Sequence, residues 1–221
     1  MCIALITARI GSKRIKKKNI KIFFGKPIIS YPISVCKKIK FFKNIYVSTE
    51  SKTISKIAKK YEAQVPFLRP KNLADSKTGT LPVVKDFIRK LKIPYNTVVC
   101  CIYPVTPMLT AQLLKKSYRT FKKSSSKFLI PVIRTNEYNS KSFQLNKNNV
   151  ITKNNSDKNY LDAGQFYLGK ARDFLRTKSL LFSGSSKALI IKSNEAIDVN
   201  TNKDWKKLKL LFRKQNKNVK I

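Results

Sequence analysis

The sequence predicts an α/β fold, a three-layer αβα sandwich around a mostly parallel sheet. Three observations predict it. The chain opens on a short apolar run, Ile3–Ala8, of the kind that forms a strand buried on both faces. Short β-branched runs then alternate with segments of helical period, the pattern of βαβ units. Near the middle, Thr97–Tyr103 (TVVCCIY) is continuously apolar, as a central strand must be.

In chain order, strand Ile3–Ala8 is followed by a basic loop and then by a helix from Lys26 through Cys36 to Ile39. Ile45–Thr49 reads as a strand, and Ser51–Tyr61 as a helix with Ile54, Ile57, Ala58 and Tyr61 on one face. Gln64–Leu68 is a short strand. Leu81–Leu91 is a helix burying Val84, Phe87, Ile88 and Leu91, and Ala111–Phe121 is another. Lys127–Val132 is a strand. From Arg134 to Asn159 the pattern breaks into Asn, Lys and Ser, which predicts a hairpin or projecting loops and a dimerisation segment at about 134–160. Ala163–Leu168 and Leu189–Lys192 resume the strand pattern. A last helix covers Lys203–Phe212, and the basic tail after Arg213 is expected to fray. With no repeat and no linker, the 221 residues read as one domain, 1–221.

Composition limits the function. The chain carries 48 Lys and Arg against 11 Asp and Glu, a net charge of +37, and no histidine. The lysines are spread along the whole chain, which suits solubility and attraction of anionic substrates better than a dedicated nucleic-acid arm. The patterns of helix-turn-helix, RRM and zinc-finger proteins are missing, so no specific nucleic-acid partner is expected. Cys2, Cys36, Cys100 and Cys101 lie in apolar stretches without metal-site spacing, which predicts reduced core residues of a cytoplasmic protein. No run approaches the ~20 apolar residues of a membrane helix, and the opening run is too short for a signal peptide.

The chemistry is concentrated after the first strand. Arg9-Ile10-Gly11-Ser12-Lys13-Arg14-Ile15-Lys16-Lys17-Lys18 places Gly, Ser and six cationic side chains at the carboxyl end of a parallel strand. Open α/β sheets bind ligands at that end, and cations with freed backbone N–H groups hold phosphates. The loop has neither the P-loop nor the dinucleotide glycine pattern, which disfavours an ATPase or an NAD enzyme.

Five ordered blocks resemble one family. Ala8–Lys21 with Gly25-Lys26-Pro27, Arg69-Pro70-Lys71-Asn72-Leu73-Ala74, Tyr103-Pro104-Val105-Thr106-Pro107, Asp162-Ala163-Gly164-Gln165-Phe166-Tyr167, and Ile197-Asp198-Val199-Asn200 closing on Asp204-Trp205 are similar to the motifs of the CMP-sialic acid synthetase-like cytidylyltransferases. The fourth block resembles that family's pseudaminic acid branch. Ile10 stands where the family has its first Gly, Lys16 where it has Pro, and Asn200 where it has a second carboxylate.

The resemblance implies a Rossmann-like nucleotidyltransferase fold of the nucleotide-diphospho-sugar transferase type. It implies a CTP-dependent enzyme that converts a nine-carbon 2-keto sugar acid, pseudaminic acid, to its CMP-sugar with release of pyrophosphate. Arg9, Gly11, Ser12, Lys13, Lys18 and Asn19 would hold the triphosphate, with Arg9, Lys18 and Asp198 in the catalytic positions. Arg69 and Thr80 would read the cytosine. Tyr103, Thr106, Gln165 and Tyr167 would contact the sugar. Asp198 and Asn200, one residue apart on an extended segment, would point the same way and hold Mg²⁺, a hard cation served by oxygen ligands. A homodimer is implied as well. The alternatives are a cytidylyltransferase for sialic, legionaminic or deoxyoctulosonic acid, a family member that binds without turnover, and a basic nucleic-acid-binding protein. Without histidine, the sugar hydroxyl must lose its proton to a metal-bound hydroxide, an Asp or solvent.

Overall fold

A computed structural model describes residues 1–136, 141–152 and 158–216. A seven-stranded sheet runs through it, in the order β11 (Ser186–Ile191), β6 (Phe128–Thr135), β10 (Phe166–Lys170), β5 (Val98–Ile102), β1 (Cys2–Thr7) and β4 (Phe42–Ser48). The seventh strand, β9 (Asn159–Asp162), pairs with the far half of β6. β9 and β10 are antiparallel to β6, and β10 also to β5, while the β1–β4, β1–β5 and β6–β11 pairs are parallel.

The period-2 alternation of β1 sorts the two helical layers. Cys2, Ala4 and Ile6 face α1 (Ser30–Lys37), α2 (Lys52–Lys60) and α4 (Ala111–Lys122) through Ile33, Ile54 and Leu114. Ile3 and Leu5 face α3 (Thr80–Lys90) and α5 (Ala171–Arg176) through Val84, Phe87 and Phe174. This is the three-layer architecture expected. Ser51 and Thr110 cap α2 and α4 by accepting from the backbone N–H three residues on.

Several elements differ from the sequence reading, each for a physical reason. Residues 26–27 do not start a helix. They form β3 (Lys26–Pro27), paired with β2 (Ile22–Phe23). Phe24 (φ 43°) and Gly25 (φ 77°) between them give two positive φ angles, the signature of a tight hairpin turn. Gln64 and Leu68 make only isolated bridges to Tyr46 and Thr49, because Pro66 has no N–H to continue a ladder. The Ala163–Leu168 strand is displaced: Ala163, Gly164 and Gln165 turn the chain between β9 and β10. α5 has no counterpart in the sequence reading, being too short to show a period.

The dimerisation segment expected at about 134–160 falls partly on residues 137–140 and 153–157, outside the described residues. Its described part folds back on its own chain. β7 (Gln144–Leu145) and β8 (Ile151–Thr152) form a hairpin, with Phe143 and Ile151 buried in the α3-side core. Val150 bridges Lys187, so the hairpin covers part of the β11 edge.

α6 (Asn202–Gln215) closes the chain over a separate aromatic cluster. Phe23, Trp205 and Phe212 meet edge to face, at 5.6 Å for Phe23–Trp205 and 5.1 Å for Phe23–Phe212. The β2–β3 hairpin and α6 therefore clamp Ile15, at the centre of the basic loop, into a core of its own. The tail expected to fray lies mostly at 217–221, outside the described residues.

Candidate active site

The carboxyl ends of β1 and β5 open into one cleft of about 1050 Å³. The basic loop leaves β1 along its wall, and Arg9, Ser12, Lys13, Arg14, Lys18 and Asn19 all line it. Asn19 Nδ2 donates to the Arg9 carbonyl at 2.8 Å and closes the loop. Lys17, at φ 51°, takes the left-handed conformation that turns the chain there. Ile10 has no positive φ, so replacing glycine there strains nothing. The Ser12 N–H donates to the Ile10 carbonyl at 2.8 Å, which leaves the hydroxyl as the Ser12 group for a ligand. Gly11 does not line the cleft; its carbonyl accepts from Arg9 Nη1 at 3.2 Å.

Glu50, just past β4, organises this wall, and the sequence reading missed it. One carboxylate oxygen accepts from the Ile10 N–H at 2.8 Å and the other from Arg69 Nη2 at 3.1 Å. The Arg69 side chain is 3% exposed and also donates to the Ala8 carbonyl at 3.2 Å. Burial lowers the Arg69 pKa, and the neighbouring Glu50 charge opposes that shift. Arg69 Nε is left without a partner, a buried donor free for a ligand acceptor.

Across the cleft, Lys18 donates to the Val199 carbonyl and binds the basic loop to the segment that carries Asp198. Burial lowers the Lys18 pKa, while Asp198 pulls it back up. Asp198 and Asn200 line the cleft together. The amide of Asn200 is committed: Nδ2 donates to Asp198 Oδ2 at 2.7 Å, and Oδ1 accepts from Arg14 Nη2 at 2.9 Å. Arginine can only donate and carboxylate can only accept, so these two partners fix the amide orientation. That arrangement differs from the expected metal pair, because Asn200 turns a donor, not an oxygen, toward Asp198. No group of three or more metal-ligating side chains occurs among the described residues. The donor set suits a cation that arrives with its own phosphate ligands and needs one carboxylate, Asp198. Asp204 lies outside the cleft wall and builds the capping box of α6 with Thr201.

The far wall, formed by Thr80, Tyr103 and Asp162, is tied together by a chain of hydroxyls that passes behind it through Tyr167. Thr80 Oγ1 lies 3.1 Å from Tyr103 Oη, which lies 3.0 Å from Tyr167 Oη. Tyr167 in turn donates to Asp162 Oδ2, and Asp162 Oδ1 accepts from the Gly164 N–H at 2.8 Å. Burial raises the pKa values of Tyr103, Tyr167 and Asp162. Gly164 holds φ 61°, and its Cα packs so closely on Asp198 that a Cβ there would come within 3.2 Å of the Asp198 Cβ.

Of the residues singled out in the sequence, Arg9, Ser12, Lys13, Lys18, Asn19, Arg69, Thr80, Tyr103, Asp198 and Asn200 share the cleft. Thr106, Gln165 and Tyr167 do not line it. Thr106 Oγ1 donates to the Tyr103 carbonyl and fixes the turn after β5. The Gln165 carbonyl accepts from the Tyr103 N–H at 2.9 Å, and its side chain is buried. Tyr167 stands one layer back, behind Asp162. Asp162, a second residue the reading did not assign, faces the cleft instead. Its only signal was its place at the head of the Asp-Ala-Gly-Gln-Phe-Tyr block.

Comparison with known proteins gives the chain a family and a fold likeness. A family model described as cytidylyltransferase matches residues 3–213. The chain is 34% identical over 223 residues to the pseudaminic acid cytidylyltransferase of Campylobacter jejuni serotype O:2, covering 96% of each chain. It is 32% identical over 206 residues to the bifunctional pseudaminic acid cytidylyltransferase and UDP-2,4-diacetamido-2,4,6-trideoxy-beta-L-altropyranose hydrolase of Helicobacter pylori, covering 89% of this chain and 40% of that one. Among solved structures, a CMP:2-keto-3-deoxy-manno-octonic acid synthetase complexed with CTP superposes with a TM-score of 0.77 over 97% of this chain and 99% of that one, at 11% identity. At that identity the last likeness concerns the fold alone.

Proposed function

The chain belongs to the cytidylyltransferase family, and on that premise we propose that it activates pseudaminic acid, a nine-carbon 2-keto sugar acid, with CTP to give the CMP-sugar and pyrophosphate. The observation that carries the reading is the meeting of three sequence-distant groups in one cleft: the loop cations Arg9, Lys13 and Lys18, the buried Arg69, and the carboxylate Asp198. Relatives named for pseudaminic acid, with most of this chain aligned, support that sugar over sialic, legionaminic or deoxyoctulosonic acid.

In this reading the triphosphate lies along the basic loop. Arg9, Lys13 and Lys18 neutralise its oxygens, and the Ser12 hydroxyl adds a neutral donor. The cytosine reaches toward Arg69 and Thr80. Arg69 Nε faces an acceptor there, and a planar guanidinium suits a planar base edge. The sugar acid occupies the side of Tyr103. Its anomeric hydroxyl attacks the α-phosphorus in line, and the leaving pyrophosphate takes charge that the loop cations already face. Such a transfer depends on positioning and charge stabilisation more than on covalent work by the protein. Magnesium bound with the triphosphate would add charge neutralisation, held through Asp198. Arg14 and Asn200 hold the Asp198 carboxylate in place, and Gly164 leaves the room it needs.

The buried, unpaired cysteines support a reducing, cytoplasmic setting. The homodimer rests on the family resemblance, and light scattering on the purified protein measures it. The activity is tested by pyrophosphate release from CTP with a panel of nine-carbon and eight-carbon keto-sugar acids. Release with pseudaminic acid alone is the expected result. No release with any sugar acid, or release favouring another one, overturns the assignment.

A further inference from the structure

Asp162 is an unusual carboxylate for this chain. It lines the cleft, yet among the described residues no lysine or arginine forms an ion pair with it, in a protein with 48 of them. Its partners are neutral: the Tyr167 hydroxyl and the Gly164 N–H. Two carboxylate oxygens offer about four acceptor positions, so acceptor capacity remains on the cleft side. A buried charge without a cation is costly unless hydrogen bonds satisfy it. Here they come from a built support, in which Tyr103 and Thr80 hold Tyr167 and Tyr167 holds the carboxylate.

The surroundings say what would complete it. Leu161 precedes Asp162 on β9 and pairs with Ile133 on β6, and Leu161, Ile133, Ala196 and Ile197 all line the cleft with Asp162. Ala163, Ile191 and Ala196 form a small apolar cluster directly behind, with Ile133 packed on it. A carboxylate acceptor bordered by apolar surface fits a group that has one hydrogen-bond donor and one methyl. An acylamido group has both, whereas a polyhydroxyl chain would leave several hydroxyls facing carbon.

We propose that Asp162 is the specificity-determining residue of the sugar subsite, and that it accepts a hydrogen bond from an acylamido N–H of the sugar acid whose methyl rests on the Ile133–Leu161–Ala196 surface. The inference deepens the proposed function and rests on it. A site built to receive a donor rejects the analogue that lacks it, because the buried acceptor is then left unsatisfied.

The test compares two sugar acids that differ only in one acyl link, N-acetyl in one and O-acetyl in the other. They are assayed by pyrophosphate release with the wild-type enzyme and with Asp162→Asn. The wild-type enzyme should prefer the N-acetyl sugar by about 10- to 100-fold in kcat/KM. In Asp162→Asn the amide oxygen stays with the Gly164 N–H and the NH₂ replaces the free acceptor, so the KM for that sugar should rise by a similar factor and the preference should collapse. KM for CTP and the Mg²⁺ concentration for half-maximal rate should stay within twofold. An unchanged sugar preference overturns the inference, as does a shift in Mg²⁺ dependence with the sugar KM unchanged, which would place Asp162 at the cation instead. If Asp162→Asn does not fold, Tyr167→Phe decides. It keeps the carboxylate but releases one oxygen, so the sugar KM should rise about 3- to 10-fold, and no rise overturns the inference. Absence of pyrophosphate release by the wild-type enzyme with any sugar acid would instead sink the proposed function itself, so the two failures are distinguishable.

Discussion

Replacing Glu50 with Gln tests whether the basic-loop wall of the cleft is held by a buried ion pair. Gln preserves the shape and can still accept from the Ile10 N–H with its oxygen. Its NH₂ then meets Arg69 Nη2, donor against donor, where the carboxylate sits at 3.1 Å. The guanidinium, 3% exposed, is left charged and unpaired. Removing one partner of a buried pair costs about 3–5 kcal/mol; Glu50 is 11% exposed, which places the expectation at the lower end, about 3 kcal/mol. For a chain of this size each kcal/mol moves the melting temperature by about 2–4 °C, so Glu50→Gln should melt about 6–12 °C below wild type. Differential scanning calorimetry at neutral pH reads this directly. The control is Glu62→Gln, which breaks the exposed Lys37–Glu62 pair and should shift melting by no more than about 4 °C. If Glu50→Gln and Glu62→Gln melt together, the pair does not hold the wall and the reasoning fails.

The other expected outcomes follow from single contacts. Asn200→Asp replaces the donor facing Asp198 with a second carboxylate, so the Mg²⁺ concentration for half-maximal rate should fall several-fold; an unchanged metal titration would remove position 200 from the cation site. Gly164→Ala places a Cβ 3.2 Å from Asp198 Cβ at a backbone of φ 61°, and kcat/KM should drop at least about tenfold while stability falls by only about 1–2 kcal/mol. Burial raises the thiol pKa values of Cys2 and Cys101 to about 12, so none of the four cysteines should react with Ellman's reagent at pH 8 in the native protein, and all four should react in guanidinium. Burial alone would raise the Asp204 pKa, but hydrogen bonds from the Asn200 and Thr201 N–H groups and the Thr201 hydroxyl outweigh it and hold it low. A carboxyl lowered in the folded state adds stability above its unfolded pKa and loses it as pH falls through the folded one. Melting of Asp204→Asn should therefore vary less with pH below about pH 4 than that of wild type.

Much of the fold was legible because period and burial agree. TVVCCIY became the central strand β5, and Leu81–Leu91 became α3 within one residue at each end. The basic loop was legible because six cations beside Gly and Ser after an apolar strand have few other uses. The failures share a cause, which is that long-range pairing overrides local pattern. Lys26 and Pro27 sit next to an apolar run of helical appearance, but the Phe24–Gly25 turn pairs them with Ile22 and Phe23. The family resemblance implied a sugar contact for Tyr167, at the end of the Asp-Ala-Gly-Gln-Phe-Tyr block. Tyr167 stands behind Asp162, whose position depends on the Gly164 turn, and no period predicts that turn.

Glu50 and Asp162 were harder still, and they show where a composition this biased hides information. Among 48 bases an individual lysine says little, since most only solvate the surface. The 11 acids are the scarce residues, and three of them, Glu50, Asp162 and Asp198, stand at or beside one cleft. Two of the three sit at anchor points on facing walls: Glu50 holds the Ile10 N–H and Arg69 on the basic-loop side, and Asp198 precedes Val199, whose carbonyl accepts from Lys18. Among the described residues no cation pairs with Asp162, whose partners are the Tyr167 hydroxyl and the Gly164 N–H. In a strongly cationic protein the field draws any anion to the surface, but it cannot select which one. Selection then falls to neutral hydrogen bonding, and on the inference drawn above Asp162 supplies it in this cleft.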